Sequence, residues 1–251
     1  MSESVILCEG YHDRAFWKGW LESLGCVDPG KPKEGMSGRM PVLDPSSRTV
    51  SSGHFGYRSK SEKFNRIVPC HGKDNVLREA RKHLDEREVS KLVRLVVNRD
   101  ADTLVNDETS FQINDLLREV HRIDGQAELN ADGDIAMDNA QRFVSLVRWE
   151  TPDAPGSGLP SHQSLERLVC AAMIAAYPDR QAAVQPWLDS RTNPPDESPK
   201  DYAWSYMAGW YADAGCERFY SSLWEDAAVV TELKSRLCKI GAWRIAATLA
   251  E

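Results

Sequence analysis

Over the first 150 residues, four short apolar runs alternate with stretches of helical periodicity, and this alternation restricts the fold more than any other feature. Val5–Cys8, Arg66–Pro69 (RIVP), Leu92–Val97 (LVRLVV) and Arg142–Trp149 (RFVSLVRW) have the length and composition of strands. Between them, Asp13–Leu24 spaces Phe16, Trp17, Trp20, Leu21 and Leu24 three and four residues apart, as one face of a helix does. Asp74 opens a second helix running to about Glu88, with Val76, Leu77, Ala80 and Leu84 on its apolar side, and Phe111–His121 supplies a third. The order β-α-β-α-β-α-β predicts an α/β fold, a mainly parallel, Rossmann-like sheet flanked by helices and joined by right-handed crossovers.

Two departures from this rhythm set the expected organisation. Residues 28–64 are rich in Pro, Gly and Ser and read as a long excursion with room for a weak hairpin. After Glu150 a Pro/Gly/Ser linker (TPDAPGSGLPSHQS) leads to a helix from about Leu165 to Ala176, then to a polar break (SRTNPPDESPKD) and helical sequence carrying Trp187, Trp204, Trp210, Trp224 and Trp243. The chain is therefore expected to form an α/β domain over residues 1–150 with an insertion at 28–64, and an all-helical extension over 151–251 packed on it. With 251 residues and 41% hydrophobic side chains it can bury a substantial core. The Trp-rich tail reads as core or partner surface rather than as a base-stacking platform.

No run approaches the ~18 apolar residues of a membrane span, and MSESVILCEG lacks the basic and long apolar regions of a secretory signal, so a soluble cytoplasmic protein is expected. Six scattered cysteines form no CxxC pair and suggest neither a disulfide framework nor a zinc site. A net charge of −7 argues against nonspecific coating of nucleic acid, which draws on many phosphate contacts, while leaving a nucleic-acid enzyme open. One segment runs the other way: Arg39, Arg48, Arg58, Lys60, Lys63 and Arg66 interleave with Phe55, Tyr57 and Phe64. Arg58, Lys60 and Lys63 are candidate contacts to a polyanion; a solvated loop is the plain alternative.

In an open parallel sheet, ligands bind outside the carboxyl ends of the strands, near the point where strand order reverses. Two strand exits are acidic: Glu9 leaves the first, and Asp100 and Asp102 leave the third in NRDAD. If the backbone stays extended through DAD, its two carboxylates project to one side. Three converging carboxylates need a cation or a basic partner to remain ionised, and an all-oxygen set suits Mg²⁺ or Mn²⁺ rather than Zn²⁺.

EGYHD at Glu9–Asp13, followed about ninety residues later by DAD after an apolar strand, resembles the Toprim domain of bacterial primases, topoisomerases, small ribosomal-RNA maturases and overcoming-lysogenization-defect nucleases. The likeness spans roughly residues 4–150. It implies a Toprim-like fold in which Glu9 is general acid/base or metal ligand, Asp100 and Asp102 hold the metal, and Asp13 supports the site. HGKDN at His71–Asn75 is similar to a GGK-type turn in nuclease-like members, with His for the first Gly, and implies that Lys73 meets a phosphate. Ser164-Leu165-Glu166 is similar to a Leu-Glu motif in small relatives and implies that Glu166 joins the metal set. The chain departs from the larger members in having no ATPase P-loop, no zinc-binding domain and no evident tyrosine nucleophile.

Each signal has a structural alternative. Asp13 suits the first turn of a helix, Lys73 and Glu166 are ordinary first-turn residues, and His12 and His71 lie near the site without a defined task. The resemblance implies a Mg²⁺- or Mn²⁺-dependent phosphodiesterase, a nuclease acting on DNA or RNA. The alternative is a noncatalytic Toprim-fold module that binds nucleic acid or protein and works beside a separately encoded ATPase.

Overall fold

A computed structural model describes residues 2–28, 54–85, 92–102, 111–154, 159, 162–190 and 216–251. Seven strands form one sheet: β1 (Glu3–Cys8), β2 (Phe55–Arg58), β3 (Phe64–Pro69), β4 (Leu92–Asp100), β5 (Glu128–Leu129), β6 (Ile135–Met137) and β7 (Arg142–Trp149), in the order β2-β3-β1-β4-β7-β6-β5. The four central strands, β3, β1, β4 and β7, are parallel. β2 pairs antiparallel on one edge, and the β5–β6 hairpin pairs antiparallel on the other.

The helices that follow β1, β3 and β4 are α1 (Tyr11–Ser23), α2 (Lys73–Asp85) and α3 (Ile113–Val120). The C-terminal part supplies α4 (Leu165–Ala176), α5 (Pro178–Asp189), α6 (Cys216–Leu223), α7 (Ala227–Lys239) and α8 (Ala242–Ala250). Both faces of the parallel sheet are covered, which is why its strands read as near-continuous apolar runs. On one face Val5, Leu7, Leu95 and Val97 meet Val76, Ala80 and Leu84 of α2 and Leu116 and Val120 of α3. On the other, Ile6, Cys8, Val96 and Trp149 meet Phe16, Trp17 and Trp20 of α1, together with apolar side chains of α4, α6, α7 and α8.

Helices α4, α6, α7 and α8 thus share one core with α1. Trp20 stacks on Trp224 with centroids 5.3 Å apart and is tilted against Trp243 at 5.7 Å. Close approach of α1 and α6 depends on Gly19: a Cβ there would lie 2.7 Å from the Tyr220 carbonyl oxygen and 2.7 Å from Trp224 Cδ1. Trp224 is a core residue and Trp243 packs partly buried against the same core, as one of the two readings of the tail has it; Trp204 and Trp210, like the side chain of Trp187, lie outside what the structure describes.

Most of the 28–64 excursion, residues 29–53, lies outside the described residues, as do 86–88 at the expected end of the second helix. The described remainder of the excursion contains β2, whose Phe55 and Tyr57 are buried. The β5–β6 hairpin was not expected. Its signal is in the sequence, in turn residues Asn130-Ala131-Asp132-Gly133-Asp134, where Asn130 Oδ1 accepts from the N–H groups of both Asp132 and Asp134. No described helix is long and apolar enough to cross a membrane.

Candidate active site at the carboxyl edge of the sheet

The parallel strands run β3-β1-β4-β7 in space, so the chain moves outward from β1 to β3 and then returns across β1 to reach β4. Strand order therefore reverses between β1 and β4, the switch point at which a doubly wound sheet offers a crevice. Glu9 leaves β1 and Asp100 ends β4 on either side of it, 8% and 4% exposed. Glu9 Oε1 accepts a hydrogen bond of 3.1 Å from the Asp100 N–H, and the Arg99 guanidinium Nε lies 3.7 Å from the same oxygen. Arg99 is itself fixed over the Phe111 ring, 4.5 Å from its centroid. Asp100 Oδ1 accepts from the Leu165 N–H at 3.0 Å, in the first turn of α4, where unpaired amides and the helix dipole favour an anion.

Asp13 is buried and structural in its contacts. Its Oδ2 accepts from the Gly10 N–H at 3.1 Å, closing the first turn of α1, and its Oδ1 accepts from the Trp149 indole at 2.7 Å, joining α1 to the end of β7. The chain pivots after β3 through His71 and Gly72, whose φ values of 59° and 122° are both left-handed, and the Gly72 N–H donates to the Glu9 carbonyl at 2.8 Å. His71 thus holds a left-handed φ that is uncommon for a residue with a side chain, and Gly72 has a backbone that only glycine adopts readily.

The structure corrects the expectation for Asp102. The β4 backbone does not stay extended: Asp102 has φ 54° and donates its N–H to the Gln163 carbonyl at 3.1 Å. Its carboxylate turns outward to Lys73 Nζ at 3.3 Å, while Asp100 stays buried. Gln163 locks this geometry by exchanging two hydrogen bonds with the Thr151 backbone, of 2.8 and 2.9 Å. Glu166, expected among metal ligands, is buried and meets His12 Nδ1 at 3.0 Å. Lys73, expected at a phosphate, is 53% exposed in its side chain and faces Asp102.

The donor set is all oxygen, which suits a hard divalent cation. Among the described residues no group of three or more His, Cys, Asp or Glu is gathered closely enough to hold a metal ion. Glu9 and Asp100 suit such an ion in chemistry, while the Asp102 carboxylate is engaged by Lys73. The neighbouring thiols take no part. Burial, reinforced by the Asp13 carboxylate, holds Cys8 well above the ordinary thiol range, and burial pushes Cys70 up to about 12, so both stay protonated at neutral pH.

The expected nucleic-acid contacts Arg58, Lys60 and Lys63 lie elsewhere. β2 and β3 register Arg58 opposite Phe64, and Phe64 opposite Glu3 at the start of β1, so their connecting turn sits at the amino edge of the parallel strands. A six-residue strand separates it from Glu9, roughly 20 Å at 3.3 Å per residue. There the turn caps α8: the Lys60 and Ser61 N–H groups donate to the carbonyls of Ala250 and Glu251 at 3.2 and 3.0 Å, and Asn65 Nδ2 donates to that of Leu249 at 2.7 Å. Terminal helix carbonyls need such donors, and cations suit that end of the dipole.

Sequence reasoning missed Arg99, Gln163, Trp149 and the pairing of His12 with Glu166. Arg99 was legible as the basic residue inside NRDAD; the other contacts span separations that no local pattern reports. In overall shape the chain is similar to the crystal structure of hypothetical protein PH0156 from Pyrococcus horikoshii OT3, with TM-score 0.71 at 14% identity and 100% of each chain covered. Among curated proteins, none matches it in sequence. The family model described as protein of unknown function (DUF3226) matches residues 3–194, and the chain belongs to that family.

Proposed function

We propose that the chain is a divalent-metal-dependent phosphodiesterase of Toprim type that acts on nucleic acid. The observation that carries this reading is the burial of two carboxylates, Glu9 and Asp100, side by side across the switch point of a parallel sheet. A cation held by this pair would neutralise charge at a scissile phosphodiester. The protein's own groups prepare the pair. Arg99 offsets the charge of Glu9, the Asp100 N–H fixes one Glu9 oxygen, and the Leu165 N–H fixes one Asp100 oxygen. Lys73, on an exposed turn beside the site, offers a point charge to a phosphate oxygen once Asp102 releases it.

A second reading, a noncatalytic Toprim-fold module working beside a separate ATPase, draws on a specific observation. Glu9, Asp13, Asp100, Asp102 and Glu166 all take protein partners, as a purely architectural edge would. The two readings separate when a labelled oligonucleotide is incubated with the protein and Mn²⁺ or Mg²⁺. The phosphodiesterase reading expects cleavage that chelation abolishes and that Glu9→Gln and Asp100→Asn remove without altering the thermal unfolding profile. Binding without cleavage under either metal would favour the module.

A further inference from the structure

Arg99 is a desolvated cation whose charge is only partly compensated. Its side chain is 12% exposed, and Glu9 Oε1 lies 3.7 Å from Nε, beyond the reach of a hydrogen bond. Among the described residues nothing accepts from that buried Nε. A charge withdrawn from water without good hydrogen bonds costs free energy. Its position adds to the cost. On the face covered by α2 and α3, the apolar column Leu95 and Val97 of β4 ends in Arg99, and the column Val144 and Leu146 of β7 ends in Arg148, the register partner of Arg99. Residues opposite one another on neighbouring strands project to the same side about 4.8 Å apart, and like charges so placed repel. Arg148 donates to Glu150 Oε2, whereas Arg99 has the longer contact to Glu9.

We infer that Arg99 is a phosphate-binding residue, whose guanidinium takes the non-bridging oxygens of an internal phosphodiester of the nucleic-acid strand beside Glu9 and Asp100. This deepens the phosphodiesterase reading and rests on it. The guanidinium is already fixed in direction: its carbon sits 4.5 Å from the Phe111 centroid. Contact with a ring covers a face of the group and leaves its N–H donors, which lie in the plane, directed sideways. The contact to Glu9 orients the side chain without tying up Nε in a hydrogen bond. A planar fork of donors matches two oxygens on one phosphorus. The same group supplies the hard oxygens that a divalent cation on Glu9 and Asp100 prefers. Asp100 follows Arg99 directly on β4, and its N–H donates to Glu9, so the fork and the two carboxylates occupy one end of two adjacent strands.

The test is fluorescence anisotropy of 3′-fluorescein-labelled oligo-dT and oligo-U, each with a 5′-hydroxyl or a 5′-phosphate, in chelator so that nothing is cleaved and over a series of KCl concentrations. Arg99→Gln is expected to weaken binding about tenfold and to flatten the slope of log affinity against log salt by about 0.7, the loss of one phosphate contact to a single strand. Arg99→Lys keeps the charge and loses the fork, so it keeps the parent's slope and binds with an affinity between the two. Arg58→Gln, which removes a cation at the amino edge, leaves affinity and slope as in the parent. All three variants keep the parent's circular dichroism. Unchanged affinity and slope in a folded Arg99→Gln protein overturn the contact, as does an equal loss in Arg58→Gln or binding that requires the 5′-phosphate. Should Arg99→Gln not fold, parent affinity in Arg99→Lys overturns it and weakened binding at the parent's slope upholds it. Mn²⁺-dependent cleavage by the parent, together with unchanged binding by Arg99→Gln, defeats the contact alone; failure of the parent protein to bind either strand defeats the contact and the phosphodiesterase reading together.

Discussion

The two ends of the parallel sheet carry charge in opposite ways. Toward the amino end, charges are matched for stability: Asp134 receives Arg94 at 2.8 Å and a two-point contact from Arg244 of α8 at 2.9 Å, and Glu3 receives Arg66 at 2.9 Å. The basic turn there satisfies the last carbonyls of α8. At the carboxyl end, Glu9, Asp13, Asp100 and Glu166 are buried within one neighbourhood, with Arg99 and His12 as close basic partners. A fold built only for stability gains little by gathering like charges, since each must be desolvated and each repels the next. The contrast teaches that sign and burial, rather than the amount of charge, distinguish a candidate site from a brace.

Four outcomes sharpen or break this contrast. The largest is at the carboxyl end: Glu9→Gln and Asp100→Asn are each expected to lower Mn²⁺-dependent cleavage of a labelled oligonucleotide about 100-fold or more, the scale on which metal sites lose activity when their groups change. Thermal unfolding should move little, because both substitutions keep the shape and an acceptor for the amides they meet. A large loss of stability in either would make the acidic edge architectural instead.

At the amino end the expected loss is in stability. Asp134→Ala removes a buried carboxylate shared by two arginines and should destabilise by about 3 kcal/mol in urea unfolding at neutral pH. Burial alone would raise the Asp134 carboxyl, but its hydrogen bonds from Arg244 and Arg94 outweigh burial and hold it below the ordinary carboxylate value. A depressed native pKa contributes stability that is fully present above the unfolded value, about pH 4, and is lost as pH falls through the native one. The difference between the parent and Asp134→Ala should therefore shrink below about pH 4; a difference that grows on acidification would contradict the pairing.

Smaller effects belong to the α8 cap. Asn65→Ala leaves the Leu249 carbonyl without its side-chain donor and should cost about 1–2 kcal/mol, read by the same unfolding curves. Combining Arg58→Gln, Lys60→Gln and Lys63→Gln should cost at most about 0.5 kcal/mol, because the cap itself is made by backbone N–H groups and the side chains add only exposed charge. A stability loss several times larger would show that the cations, rather than the turn, hold α8.

The fold was legible in the sequence where local patterns carry it. LVRLVV and RFVSLVRW announce strands covered on both faces, and Phe16, Trp17 and Trp20 announce the buried side of α1. Edge elements were harder to read. β2 is four residues inside a polar excursion, and β5 and β6 are two and three, too short for a period to register. At the site, Glu9 and Asp100 follow from strand exits, since the end of a strand fixes where its next side chain emerges. Asp102 does not, because its direction depends on a left-handed residue pinned by Gln163, 61 positions away in the chain. Arg58, Lys60 and Lys63 were grouped by composition, and composition says nothing about which end of a strand a turn occupies.

The central claim is that Glu9 and Asp100 form a divalent-cation site. It is tested most directly by titrating the protein into Mn²⁺ and following the free-ion signal by electron paramagnetic resonance. The account predicts loss of free Mn²⁺ with the parent protein, and binding weakened about tenfold or more in both Glu9→Gln and Asp100→Asn. Parent protein that leaves the Mn²⁺ signal unchanged, or variants that bind as the parent does, would contradict it.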